Sequence, residues 1–128
     1  MTDVIKTMLE ECKEMQDYLE EKPSDDPNEL TERLAMLSIY MARSGDMLAQ
    51  AKFLQDDMRS KVFEEKSFEI ATLSPTIASK MIESQTGECN YLVNWLDRIN
   101  RSCVHQADSL RTIFSYVKEN LKMTRKGY

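Results

Sequence analysis

Apolar residues in the last third of the chain fall on a single heptad phase. Ile82, Cys89, Leu96, Cys103, Leu110 and Val117 recur every seventh residue, with Leu92, Ile99 and Ile113 between them. Polar Gln85, Gln106 and Asn120 occupy the remaining seam positions. Such a repeat draws one apolar stripe along an α-helix, the face that seeks a partner helix. Ser74 is placed to cap it and Pro75 to take its first position. Gly87 lies inside the run without shifting the phase, and a glycine in a helix interior costs only about 1 kcal/mol against alanine. The pattern therefore predicts one continuous helix over about 75–123. Lys122, Arg125 and Lys126 suit its C-terminal dipole, and Gly127 marks its stop.

Two further helices are predicted upstream. Thr2 as cap and Asp3 in the first turn open one over about 3–22, with Ile5, Met8, Cys12, Met15 and Leu19 at 3-4 spacing. Val4, Leu9 and Tyr18 widen that stripe. Pro23 ends it, because proline disfavours helical geometry in the residue before it. Asp26, Pro27 and Glu29 then form a capping-box start. Leu30, Leu34, Leu37, Met41, Leu48, Ala51, Met58 and Val62 carry the second helix over about 27–67, roughly 60 Å at 1.5 Å per residue. A zone of small residues, Ala42, Ser44, Gly45, Ala49 and Ala51, lies midway along it. Phe68 to Leu73 reads either as its last turns or as a turn.

The expected fold is all-α and a single domain spanning residues 1–128. A long antiparallel hairpin of the second and third helices, with the shorter first helix over one end, makes a three-helix, coiled-coil-like bundle. The first helix is expected where the second begins and the third finishes. One hairpin does not use all the apolar surface. On the second helix Met36, Ile39 and Phe53 point away from the seam, while Tyr40, Met47 and Leu54 flank it. On the third helix Val93, Ala107, Phe114 and Leu121 flank the seam on one side, and Trp95 and Tyr116 on the other. Unused apolar surface of this extent marks an interface. It predicts a homo-oligomer, most simply a symmetric dimer, joined through the six residues named on the second helix.

Composition agrees with helices. Among 128 residues there are three glycines and three prolines, too few for a turn-rich β-protein. No apolar run approaches the roughly 20 residues of a membrane span. The opening Met1-Thr2-Asp3-Val4 has no secretory signal character. The expectation is a cytoplasmic protein without membrane contact. Net charge is −5, unevenly spread: residues 1–32 carry a net −8 and residues 97–128 a net +4. The two ends either neutralise each other side by side or leave the basic end for an anionic ligand.

Catalytic chemistry is scarce. His105 is the one histidine, and Cys103-Val104-His105 puts the two potential ligands on different faces. Cys12, Cys89 and Cys103 occupy seam positions and read as core fillers. No glycine-rich phosphate loop or nucleophile elbow is present. No catalytic residue, metal site or cofactor is expected, and the chain reads as a non-enzyme. One stripe does carry binding chemistry. Tyr91, Trp95, Arg98, His105 and Tyr116 share one side of the third helix with Ser102, Ser109 and Thr112, and Arg101 and Arg111 lie beside it. Aromatic faces stack on bases and guanidinium groups grip phosphate. This flank is either a site for a nucleotide, cyclic oligonucleotide or single strand, or a packed and solvated helix side.

Leu92-Val93-Asn94-Trp95-Leu96-Asp97-Arg98-Ile99-Asn100-Arg101 continues through His105-Gln106 and Leu110-Arg111 to Ser115-Tyr116-Val117-Lys118-Glu119. It resembles the C-terminal helix of small uncharacterised proteins of bacteriophages and related mobile elements. The resemblance implies an accessory role, in genome recombination or in countering host defence, and carries over no functional residue. The leading expectation is an oligomeric helical protein that binds or sequesters a partner, either a host protein or an anionic nucleotide.

Overall fold

The computed structural model describes residues 2–125, with the side chains of Thr2 and Arg125 outside that description. The capping role of Thr2 and the stop signals at Lys126 and Gly127 therefore lie outside the described residues. Among those described the chain is all-helical: α1 (Thr2–Glu20), α2 (Pro27–Glu65), α3 (Ser67–Ala71), α4 (Pro75–Gln85) and α5 (Gly87–Arg125). Asp26 caps α2, its carboxylate accepting from the Glu29 amide at 3.2 Å, with Pro27 in the first turn. Ser74 caps α4 in the same manner, accepting from the Ile77 amide at 3.3 Å.

The third rod is not continuous. Thr86 leaves helical geometry at φ −113°, ψ 22°, and separates α4 from α5. Its amide still bonds back to the Ile82 carbonyl at 3.1 Å, and the Asn90 amide reaches the Thr86 carbonyl at 3.0 Å. The chain therefore kinks rather than turns. Side-chain chemistry holds the kink. The buried Thr86 hydroxyl donates to the Ile82 carbonyl at 3.0 Å, a bond of the kind that bends helices. Asn90 Nδ2 donates to the Glu83 carbonyl at 3.2 Å. Gln55 Nε2, from α2, donates to Asn90 Oδ1 at 2.6 Å and ties the kink across the hairpin. Lys66 makes a similar break, φ −112°, ψ 19°, between α2 and α3. The stretch from Phe68, ambiguous in sequence, is thus mostly a helical turn.

α2 and α5 form the main packing pair, and α1 lies chiefly on α5. The core runs through Leu30, Leu37, Met47 and Ala51 of α2 and Cys89, Leu92, Leu96, Ile99, Cys103, Ala107 and Leu110 of α5. Ile5, Met8, Cys12, Met15 and Leu19 of α1 close it, as their spacing predicts. Polar bonds set the alignment of the helices. Asn100 Nδ2 donates to the Met41 carbonyl at 2.9 Å and to Ser44 Oγ at 3.1 Å. A Cβ on Gly45 would stand 3.7 Å from that same nitrogen, so the small-residue zone is where the Asn100 side chain comes in. Gln106 Nε2 donates to the Leu19 carbonyl at 2.7 Å, and its Oε1 accepts from Arg33 Nη2 at 3.0 Å. Arg33 is buried with its guanidinium 4.3 Å from the Tyr18 ring centre, and Tyr18 meets Tyr40 edge-on at 5.2 Å.

The acidic first segment and the basic last one do meet, but among the described residues no ion pair joins them. The one ion pair between helices, among the described residues, joins α1 to α2: Arg43 Nε and Nη2 each donate to Glu11 at 2.8 Å. The Arg43 bond holds the Glu11 carboxyl below its usual range. Its stabilisation is thus present at neutral pH and fades as pH falls through that lowered value. Being half-exposed, the pair contributes about 1 kcal/mol at most. α1 lies against α5 where Gln16 and Leu19 bond to Trp95 and Gln106, and Leu19, Glu21 and Pro23 border His105 to Ile113 within the basic segment.

Two stability measurements check this packing. Gln106→Ala leaves both the Leu19 carbonyl and Arg33 without their partner, and should lower unfolding free energy by about 1–3 kcal/mol in urea titration. Gly87→Ala should raise it by about 0.5 kcal/mol, because a methyl there meets nothing within 4 Å.

Candidate functional site

The Arg–aromatic stripe on α5 does not close into one site. Tyr91 and Trp95 form a tilted pair with ring centres 5.5 Å apart. With Gln16, Asn94, Asp97, Arg98 and Ser102 they line an open groove between α1 and α5. Trp95 Nε1 is already committed to Gln16 Oε1 at 3.2 Å. Arg101 is paired with Asp97 at 3.2 Å, and Arg111 with Asp108 at 3.0 Å. His105 lies further along α5 in a separate, mostly apolar hollow with Leu19, Pro23 and Ile113. Tyr116 is 69% exposed and stands 25 residues from Tyr91, roughly 37 Å along the helix. Of the seven residues predicted to bind a ligand, the fold gathers Tyr91, Trp95 and Arg98 around one groove, with Arg101 beside it, and leaves His105, Arg111 and Tyr116 elsewhere.

The six positions assigned to an oligomer face on the second helix also divide. Met47 is fully buried between α2 and α5 and cannot meet another chain. Tyr40 is half-buried against Tyr18, and Leu54 is packed on the core. Met36 is half-buried. Ile39 and Phe53 remain free, at 60% and 75% exposure, fourteen residues apart. Met47 was misplaced because the buried phase of α2 runs Leu30, Arg33, Leu37, Ser44, Met47, Ala51. Two polar residues stand in that phase, and they hid it from a reading based on apolar residues alone.

Apolar surface is also exposed at the far end of α5, at Ile113, Tyr116, Leu121 and Met123. Arg33 lies across from Gln106. The short side chains that meet at Ser44–Asn100 and the Gln55–Asn90 bond fix the register more closely and set Pro27 level with about residues 117–118. α5 continues to Arg125, about 12 Å past that level. The buried positions of α5 show which face this overhang presents. They begin as Cys89, Leu92, Leu96, Ile99 and Cys103, then move to Ala107 and Leu110. The next residues in that phase are Phe114, Val117 and Leu121. An α-helix of 3.6 residues per turn drifts about 20° per heptad against a fixed seven-residue repeat. That drift carries the seam off the predicted positions Ile113 and Asn120. Ile113 is 43% exposed and Leu121 51% exposed, while Phe114 and Val117 are only partly covered.

Reactive groups are shielded. Cys12, Cys89 and Cys103 are free thiols in the core. Burial pushes the Cys12 thiol up to about 11 and raises the other two. Thiolate, the reactive form, is correspondingly disfavoured. Among the described residues no group of three His, Cys, Asp or Glu side chains is placed to hold a metal ion, and no helix is long and apolar enough to cross a membrane.

Sequence reasoning missed Gln16, Asn90 and Asn100, which fix how the helices align. Their signal was present as polar residues interleaved with an apolar stripe at helical spacing. Compared with known proteins, the chain matches no family model, no curated protein and no solved structure. The burial of the thiols predicts that a thiol reagent at pH 8 labels the native chain slowly and labels all three cysteines after denaturation. Rapid native labelling of any of them, read by mass spectrometry, would contradict this packing.

Proposed function

We propose that this chain is a non-enzymatic, oligomeric helical protein that works by docking helices, its docking element being the overhanging end of α5. One observation supports the reading: past Leu110 the seam continues in phase through Phe114, which packs on the core, and half-buried Val117 to the exposed Leu121, and α5 runs on beyond the level of Pro27. A preformed amphipathic helix of this kind receives another helix through anchors at i, i+3, i+4 and i+7 spacing. Its rigid root in the hairpin lowers the entropy cost of binding, since the helix is already ordered. Capture of a partner's helix in this way amounts to sequestration. With the resemblance of α5 to phage-encoded helices, it supports a phage-type accessory role, the target being a host protein.

The groove at Tyr91, Trp95 and Arg98 supports a second reading, an anionic nucleotide or single strand held by stacking and one guanidinium. The neighbouring Arg101 and Arg111 are neutralised within α5, which makes this reading the weaker of the two.

Display selection against the full chain separates them. Enriched peptides should be amphipathic helices, and they should lose binding to the Val117→Asp/Leu121→Asp variant while retaining binding to Arg98→Ala. Absence of helical peptides, or indifference to the double variant, would overturn helix docking. A mobility shift with single-stranded DNA or cyclic oligonucleotides, abolished by Arg98→Ala and steeply weakened by salt, would establish the second reading instead.

A further inference from the structure

We propose that α4 is a hinged arm, pivoting at Thr86 and Gly87. It swings between the open position it occupies in the structure and a closed one that seals the cleft beside it on α2. Arm, pivot and cleft each rest on a separate observation, and none of them involves the far end of α5.

The arm lacks an anchor. α3 and α4 contain no buried residue, and their best-covered apolar side chains, such as Ile70, Met81 and Ile82, are half-buried. Among the described residues, the side-chain bonds of α4 stay within its own rod: Ser74 to Ile77, Ser84 to Met81 and Thr86 to Ile82. The last polar tie across the hairpin is Gln55 to Asn90, four residues past Thr86. Local stability follows buried contact, so such a segment moves at a free energy well below that of the core.

The pivot is well defined. Lys66 and Thr86 leave helical geometry almost identically, at φ −112°, ψ 19° and φ −113°, ψ 22°, so matching breaks bracket α3 and α4. Thr86 departs from ideal helical values by about 50° in φ and 65° in ψ. Hinges are element-terminal residues that absorb changes of this size. The Thr86 side chain is buried and the Gln55–Asn90 bond holds the adjoining turn, so the pivot itself stays seated on α2. A Cβ on Gly87 would meet nothing within 4 Å, which leaves the chain room to turn. α4 has 11 residues. A rod of that length, about 16 Å, carries its far end roughly 6 Å when rotated by about 20°.

The cleft has complementary walls. Arg59, Ser60 and Phe63 of α2 face Ser79, Ile82 and Glu83 of α4 across about 620 Å³. Continued residue for residue, the antiparallel register of Gln55 with Asn90 sets Phe63 level with Ile82. Phe63 is 53% exposed and Ile82 half-buried, so closure removes apolar surface from water on both walls. Arg59 and Glu83 carry opposite charges, and neither is in an ion pair among the described residues. Closure brings them together. What fills the cleft is therefore the arm itself, and the swing uncovers no core residue in either direction.

Double electron–electron resonance on the full chain reads the swing, with spin labels at Lys61→Cys and Lys80→Cys. Both positions are exposed and outside the cleft, and the three native thiols are buried. The expected result is two label–label distances that differ by several ångströms. Phe63→Asp puts a charge into the closed cleft and should remove the shorter distance, with unchanged helical circular dichroism. Thr86→Ala removes the hydroxyl that bends the rod and should merge the two distances into one. A single narrow distance before either substitution overturns the hinged arm. Two distances that ignore Phe63→Asp overturn closure onto this cleft, and two that persist in Thr86→Ala overturn the pivot.

Discussion

The antiparallel packing of α2 on α5 determines where every other element sits. Its apolar layers supply most of the buried surface, but apolar layers alone leave two long helices free to slide. Three polar contacts remove that freedom. Gln55 meets Asn90, Asn100 meets the Met41 carbonyl and Ser44, and Arg33 meets Gln106. A slip by one turn would leave each of these groups buried without a partner, which is costlier than the bonds are individually strong. Gln106 also accepts α1 through the Leu19 carbonyl. The alignment that fixes the hairpin therefore fixes the third helix as well.

That alignment leaves the two ends of α5 in different situations. At its start, Thr86 and Asn90 bend the rod so that α4 follows the far end of α2. Toward Arg125 the helix does not bend back, and about two turns run beyond the start of α2. The same residue spacing is satisfied on one stretch and unsatisfied on the next. The exposed apolar surface around Leu121 arises from a difference in length between two helices.

Much of the architecture was legible in the sequence. Asp26-Pro27 and Ser74-Pro75 mark helix starts where the structure has them, and the α1 stripe from Ile5 to Leu19 is buried as its spacing requires. Two misreadings have different causes, the first being a strict seven-residue phase held over too many turns. Drift of the real helix moved the seam from Ile113 and Asn120 to Phe114 and Leu121. On α2 the buried phase was masked by Arg33 and Ser44, polar residues whose burial depends on partners far away in sequence. The break at Thr86 was hidden because the heptad passes through it unbroken: backbone bonding resumes on both sides, so only a local bend separates two in-phase helices. Of the Arg–aromatic stripe, Tyr91, Trp95, Arg98 and Ser102 line one groove. Spacing along a helix says nothing of length, however, and its members are spread over tens of ångströms.

Hydrogen exchange along α5 at low micromolar concentration probes the underlying distinction directly. Amides from Cys89 to Leu110, covered by α1 and α2, should exchange slowly and together. Those from Lys118 to Thr124 should exchange orders of magnitude faster, because only helical bonds without tertiary cover protect them. Uniform slow exchange through Thr124 under those dilute conditions would contradict an unfinished seam, as would rapid exchange that begins before Leu110.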